Sequence, residues 1–453
     1  MPDLDLILDV FGQRRVSIFT QISFCFPTND AHPPQSILDI LTGGLQRLAK
    51  HFPWIAGQVV REDTVEGGTV TFRIRPLDAT PRLFVKDLRS GDSKLSMINL
   101  RQAGFPMSAF DEDVIAPRRS YSGHVGEKTA EVFQLQVNLI EDGLILTFLG
   151  QHQAMDGIGQ AEVMRLFSKA CRGEPFTEAE LRVGNFAPEN VVPLHGDPWS
   201  PGPELSYNII KSNPSEPGFG GHRTIFPAEQ GIWSHFSLSA ASLGALKSLA
   251  SETLPPTANY VSTDDVVSAF VWRSITLARS TRSSGVAESL FARAVDLRKC
   301  LNIAPSHPGF VQSMTYHKFA MQQLIDSPLG VISADLRRAL DPPALAHHSR
   351  SFATLISRTS DETLTSYLAG FDMSRDVMLS SWVNQTSYEL DFGLGLGHPE
   401  AVRRPRFDSF QGLVYLLPRA PSGEIDVVMC LSHGDTEKLR GDKQFTKYAT
   451  YIG

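Results

Sequence analysis

The stretch Phe133–Gly157 restricts what this chain can fold into more than any other. In Phe133, Leu135, Val137 and Leu139, apolar residues alternate with Gln134, Gln136 and Asn138. That is the period of a half-buried strand. Glu141-Asp142-Gly143 predicts a hairpin turn, because Asp-Gly tolerates the positive φ of tight hairpins. The run Leu144 to Leu149 is apolar on both faces and predicts a central strand. Gly150 interrupts it, and the chain continues Gln151-His152-Gln153-Ala154-Met155-Asp156-Gly157 into a helix-like run from Ala161 to Ala170. A histidine at the end of a buried strand is held still by a packed scaffold. Imidazole is the side chain best suited to take and return a proton near neutral pH. The pattern H-x-x-x-D-G is short, and a loop histidine beside a capping aspartate would spell it equally well. The rest of the chain has to decide between the two.

With 453 residues, two domains are the default. A formal net charge of -7 argues against a nucleic-acid partner but leaves room for an anionic cofactor at a local basic cluster. Cys25, Cys171, Cys300 and Cys430 lie far apart and form no C-x-x-C. They read as reduced thiols of an intracellular protein, not as a zinc site. Met1-Pro2-Asp3-Leu4-Asp5 is acidic and lacks the start of a signal peptide, and no apolar run approaches a membrane span. The expectation is a cytoplasmic, soluble protein with no membrane partner.

Val16 to Phe26 reads as a strand. Between Gln35 and Lys50, Ile37, Leu38, Leu41, Leu45, Leu48 and Ala49 recur at helical spacing. Val59 to Leu77 reads as a hairpin turning at Glu66-Gly67-Gly68. From Pro193 to Gly221 the sequence is rich in Pro, Gly, Ser and Asn, which marks a connection. The expected organisation is a first domain over 1–192, a crossover over 193–230 and a second domain over 231–453. In the second, Ile232 to Leu238, Phe291 to Val295, Asp376 to Trp382, Gly412 to Leu416 and Ile425 to Leu431 read as strands. Ser262 caps a helix whose first turn carries Asp264 and Asp265. Strands mixed with helices in both halves predict an α/β protein with mixed sheets.

His152 to Gly157, together with Asp391-Phe392-Gly393-Leu394-Gly395, resembles the two signature motifs of the BAHD superfamily of acyl-CoA-dependent acyltransferases. Pro53-Trp54-Ile55-Ala56-Gly57, Asp296-Leu297-Arg298 and Ser381-Trp382 resemble further blocks of that family, in the same order. Leu394 departs from the tryptophan usual in plant members. With Phe11-Gly12-Gln13, Val85-Lys86-Asp87-Leu88-Arg89, Phe110-Asp111-Glu112 and Gly397-His398-Pro399-Glu400, the chain looks most like the fungal trichothecene 3-O-acetyltransferases. The resemblance implies the two-domain chloramphenicol-acetyltransferase-like fold, with a channel between the domains and the histidine at its middle. Acyl-CoA, here acetyl-CoA, would be the co-substrate and a small-molecule alcohol the acceptor. No metal is expected, and the protein is expected to be a monomer.

A thioester is already activated, so the reaction needs a base for the hydroxyl, alignment, and donors for the oxyanion. His152 is assigned as general base, with no covalent acyl-enzyme. Asp156 is either its relay partner or, as the family implies, the partner of Arg298. Trp382 is either an oxyanion donor or a core tryptophan. Asp391 belongs to a glycine-rich loop that shapes the coenzyme side of the channel. Ser262 and Thr263, at a helix N-terminus, and Arg298 are assigned to the coenzyme side; an ordinary capped helix is the alternative for the first two. Arg403-Arg404 either meets a phosphate or is solvated surface. Three rivals stand beside this reading. One is a metal hydrolase using His152 and Asp156. Another is an amide-forming condensation-type domain, in which Gln151 would be a second histidine. The third is a non-catalytic metabolite binder. The expected acceptor is a hydroxyl of a fungal secondary metabolite, foremost the C-3 hydroxyl of a trichothecene.

Overall fold

The computed structural model describes residues 4–14, 18–29, 32–63, 70–90, 95–121, 129–185, 191–210, 231–282, 287–359 and 364–453. The turn expected at Glu66-Gly67-Gly68 and the part of the crossover over 211–230 lie outside these residues.

The strand Gly143–Gln151 is buried at every position and lies between the strands Phe19–Pro27 and Phe133–Ile140, antiparallel to both. A run apolar on both faces needs cover on each, and a central strand has it; the one polar side chain of Leu144–Leu149, Thr147, is paired with Ser23 at 2.8 Å. The hairpin closes with Ile140 opposite Gly143, so Glu141 and Asp142 form its turn. Asp142, not Gly143, takes the positive φ, 54°. Two further strands complete this five-stranded sheet. Arg82–Asp87 adds in parallel beside Phe133–Ile140, and Ala401–Arg403 pairs with Phe19–Pro27.

One expectation is corrected here. The strand Phe133–Ile140 is buried on both faces, not half-buried. Two of its polar side chains are satisfied from a covering segment and from each other: Gln136 donates to the Val114 carbonyl and to Asn138, and Asn138 donates to the Ile115 carbonyl. Alternation recorded two environments, one apolar and one polar, both sealed from water.

The helices Pro34–His51 and Gly157–Cys171 pack together on this sheet. Gly44 sets their approach, since a Cβ there would come within 2.4 Å of Cys171 Sγ. The second large sheet has seven strands, in the order Gln312–Ala320, Glu288–Asp296, Val377–Ser381, Leu413–Leu416, Ile425–Leu431, Ile232–Leu238 and Thr450–Tyr451. The helix Thr263–Ser280 supplies much of its core. A four-stranded sheet over Leu6–Ile7, Gln58–Asp63, Val70–Arg75 and Thr129–Glu131 flanks the first. The architecture is α/β with mixed sheets. No helix among the described residues is long and apolar enough to cross a membrane.

Candidate active site

His152 begins the turn between the central strand and the helix Gly157–Cys171. Its amide donates to the Ile18 carbonyl at 2.8 Å, continuing the sheet pairing by one step. Gln151 organises the turn from behind. Its side-chain oxygen accepts from the amides of Gln153 at 2.5 Å and Ala154 at 3.2 Å. Gln153 then donates to the carbonyls of Gly12, at 3.0 Å, and Arg14, at 2.6 Å, which lashes the N-terminal segment onto the turn.

The imidazole of His152 is half-buried, with Phe310 edge-on to it at 5.2 Å between ring centroids. Its Nδ1 lies 3.0 Å from the Met155 carbonyl. A carbonyl only accepts, so this contact assigns the proton to Nδ1 and leaves the lone pair on Nε2. Nε2 has no protein partner among the described residues. Burial holds the group below the ordinary histidine range, and the charge of Arg404 acts the same way; the Met155 carbonyl and Asp156 oppose both. The neutral form is therefore favoured, which is the form a base needs.

Asp156 caps the helix by accepting from the Gly159 amide at 2.8 Å. It also accepts from Val311 N at 2.8 Å and from Arg298 at both oxygens, 3.0 Å each. Four donors fill the lone pairs of one carboxylate. None of them is His152. Asp156 therefore fixes the turn through Arg298, and the relay alternative finds no hydrogen bond to run through. A fully engaged carboxylate is equally unfit as the second ligand of a metal hydrolase.

Arg298 is 1% exposed, and its remaining donors end on Asp296, the His307 carbonyl and the Gly309 carbonyl. With all five N–H groups used, none is left for a coenzyme phosphate. Its assignment to coenzyme binding is corrected to a positioning role. For Arg403 and Arg404 the solvated-surface alternative is corrected: both are buried. Arg403 pairs with Asp426.

Trp382 is buried, and its indole N–H has no protein partner among the described residues. It stands at the mouth of the motif helix, 3.5 Å from where a Cβ on Gly157 would lie. Gln385 donates to the Gly157 carbonyl from the same loop. Asp391 is tied to its own loop, accepting from Gly393 N at 2.8 Å. Its carbonyl accepts from Ser168 at 2.7 Å and from Arg172, so the glycine-rich loop is clamped to the far end of the motif helix. Gly393 and Gly395 take φ of 67° and 76°, the left-handed region that glycine adopts without penalty. Ser262 is occupied in a capping box with Asp265, and Asp265 is in turn held by Arg293 and Arg337. Thr263 is half-buried and makes no side-chain hydrogen bond among the described residues.

Phe310, Gln151 and Gln153 contribute to the site without a local signal in the sequence. Leu8, Asp9, Gln153, Ala154, Val191, His307 and Phe310 line a small cavity beside the turn. A larger cleft, around Thr42, Asp78 and Arg82, lies elsewhere and shares no residue with the motif.

Residues 107–446 match the Transferase family, and residues 18–171 match the trichothecene 3-O-acetyltransferase-like N-terminal domain. The chain belongs to the BAHD-type transferase family. As a member it is an acyl-CoA-dependent O-acyltransferase. It is 42% identical to an O-acetyltransferase of a Cryptosporiopsis species, over 100% of this chain and 98% of that one. It is 41% identical to the trichothecene 3-O-acetyltransferase of Fusarium sporotrichioides, over 99% and 97% of the two chains. The solved structure of F. graminearum TRI101 with coenzyme A and deoxynivalenol superposes with a TM-score of 0.95, at 39% identity and covering 99% and 100% of the two chains. That likeness extends the mixed α/β architecture to the two-domain CoA-acyltransferase fold.

Proposed function

We propose that this transferase moves an acetyl group from acetyl-CoA to a hydroxyl of a fungal secondary metabolite, with the C-3 hydroxyl of a trichothecene as the leading acceptor. One observation carries the mechanism: a half-buried imidazole with its proton committed to the Met155 carbonyl and its Nε2 left open. In this reading Nε2 takes the hydroxyl proton as the acceptor oxygen bonds to the thioester carbon. The tetrahedral oxyanion collapses, the C–S bond breaks, and the imidazolium returns the proton to the CoA thiolate. The products are the acetyl ester and free CoA, with no enzyme-bound acyl group. Trp382 offers its unpartnered N–H to the oxyanion. The glycine-rich loop at Asp391 and the helix opening at Thr263 are assigned to the coenzyme side.

A second reading has its own support. A relative named only as an O-acetyltransferase matches as well as the trichothecene enzyme, 42% against 41% identity. The acceptor is then another terpenoid or polyketide alcohol. Incubating the purified protein with acetyl-CoA and panels of trichothecenes and polyketide alcohols, read by mass spectrometry, separates the two. A gain of one acetyl on a trichothecene is the expected result. The His152→Ala variant should lose at least about 10²–10⁴-fold in rate, the usual contribution of a general base, with an unchanged melting temperature. Near-normal turnover in that variant removes His152 from the mechanism.

A further inference from the structure

Arg404 is among the largest fully buried side chains of the protein, yet no carboxylate lies within ion-pairing distance of it among the described residues. Only its Nη1 finds a protein acceptor, the Gln21 carbonyl at 3.3 Å, and its Nε is sealed with none. Around it stand aromatic faces: Phe407 at 4.1 Å, Tyr415 at 4.7 Å and Trp382 at 5.5 Å from the guanidinium carbon. Ring faces attract a cation and offset part of its lost hydration, but they do not neutralise it. An arginine cannot escape by giving up its proton as a buried lysine does. Burying an unpaired ion is among the most destabilising things a fold can do, so a site that retains one asks for a reason.

The surroundings supply it. The Gln21 carbonyl that holds Arg404 lies on the same strand stretch as Ile18, whose carbonyl holds the His152 amide. Trp382, on which Arg404 leans, borders the first residue of the motif helix. Glu112 feels the Arg404 charge without reaching ion-pairing distance: burial pushes its carboxyl up, and one of its oxygens accepts from Ser120 N and from the Gln21 side-chain amide. The other charged groups near His152 among the described residues are Asp156 on its own turn, Arg298 on the facing segment with Asp296 beside it, and Asp9 across the small cavity. Asp156 and Arg298 cancel as a pair, and burial and the Arg298 charge hold His307, beside them, at about 4, so it is uncharged at neutral pH. Among the described residues, Arg404 is a cation near the base with no carboxylate in ion-pairing distance.

We propose that Arg404 is a positioning residue of this site, a guanidinium kept without a carboxylate partner so that its charge acts on the His152 imidazole. It keeps the resting base unprotonated. Once the base has taken the hydroxyl proton, the same charge makes the imidazolium a stronger acid towards the departing thiolate. The proposal rests on His152 being the base.

The test compares Arg404→Met with Arg404→Lys. His152 is titrated by NMR against a His152→Gln spectrum, and the kcat/KM pH profile is measured alongside melting temperature. In Arg404→Met both the titration and the acid limb of the profile should move to higher pH, while Arg404→Lys stays near the wild type. Arg404→Gln, which keeps a donor for the Gln21 carbonyl, replaces the methionine variant if that one does not fold. A folded neutral variant with an unmoved His152 titration overturns the proposal, as does an equal shift in the lysine variant. The titration needs no turnover. A wild type that transfers no acyl group would therefore sink the functional reading without touching this result.

Discussion

At the scale of single residues, the site separates two jobs that one histidine–aspartate pair often shares. His152 is oriented by a backbone carbonyl, and Asp156 is spent on Arg298 and on the cap of its helix. The consequences differ. Asp156→Asn takes one acceptor and the buried counter-charge from Arg298, leaving only the part-exposed Asp296 to balance it, and removing one partner of a buried pair costs about 3–5 kcal/mol. The expected outcome is a large fall in melting temperature with the pH optimum of any remaining activity in place. A shifted optimum at wild-type stability would restore the relay. Trp382 makes the opposite prediction. Its N–H satisfies nothing in the protein among the described residues, so Trp382→Phe loses no hydrogen bond and costs only the packing of the larger ring against Tyr415 and Arg404, a modest fall in melting temperature. Losing one oxyanion donor should lower kcat by about 10²-fold or more. Steady-state kinetics beside a thermal melt decide it, and a full kcat would return Trp382 to the core.

At the scale of elements, the strand, turn and helix that present His152 are legible in the sequence because each obeys a local rule. The run Leu144–Leu149 has no polar face, and Asp156 is a helix-capping residue followed by helical periodicity. What the helix packs against has no local signal. Gly159 reads as a weak point in a helix, but it is there for space: a Cβ would lie 2.0 Å from the Pro308 carbonyl oxygen. Gly159→Ala therefore sets two effects against each other. Alanine gains up to about 1 kcal/mol of helix propensity, and overpacking costs about 1–3 kcal/mol, occasionally more. A rigid backbone oxygen at that distance decides for the clash. The variant should melt lower and turn over more slowly, because the displaced segment carries Phe310, the ring beside His152. An unchanged or higher melting temperature would mean that the segment yields freely. Burial of polar residues is illegible for the same reason. Gln136 and Asn138 are covered by Val114 and Ile115, and Arg404 by Trp382 and Tyr415, none of them a neighbour in its own element.

At the scale of the molecule, the two large sheets are joined by an exchange that no composition shift announces. The strand Ala401–Arg403 leaves the second half of the chain to pair with Phe19–Pro27 in the first sheet. Arg403 then reaches back to Asp426, on a central strand of the seven-stranded sheet, at 3.1 Å. His235 lies 3.5 Å from the same carboxylate. That is long for a hydrogen bond, and burial keeps His235 neutral, so the Arg403 contact carries the pairing. Burial works against the charge of Asp426, but its neighbours win and hold the carboxyl far below the usual carboxylate range. A depressed folded value adds stability above the unfolded value, about 4, and loses it as the pH falls further. Asp9 and Asp376 have the opposite sign. Burial raises both to about 6, so their cost to the fold appears as the pH rises from about 4 to about 6. Comparing wild type with Asp426→Asn cancels that background. Urea midpoints measured from pH 7 down to pH 3 should show the variant less stable at neutral pH and the difference shrinking below about pH 4, where the unfolded wild-type chain takes up a proton on Asp426 that the folded pair still excludes. A difference that stays constant across the range would mean that Asp426 does not hold the sheets together by charge.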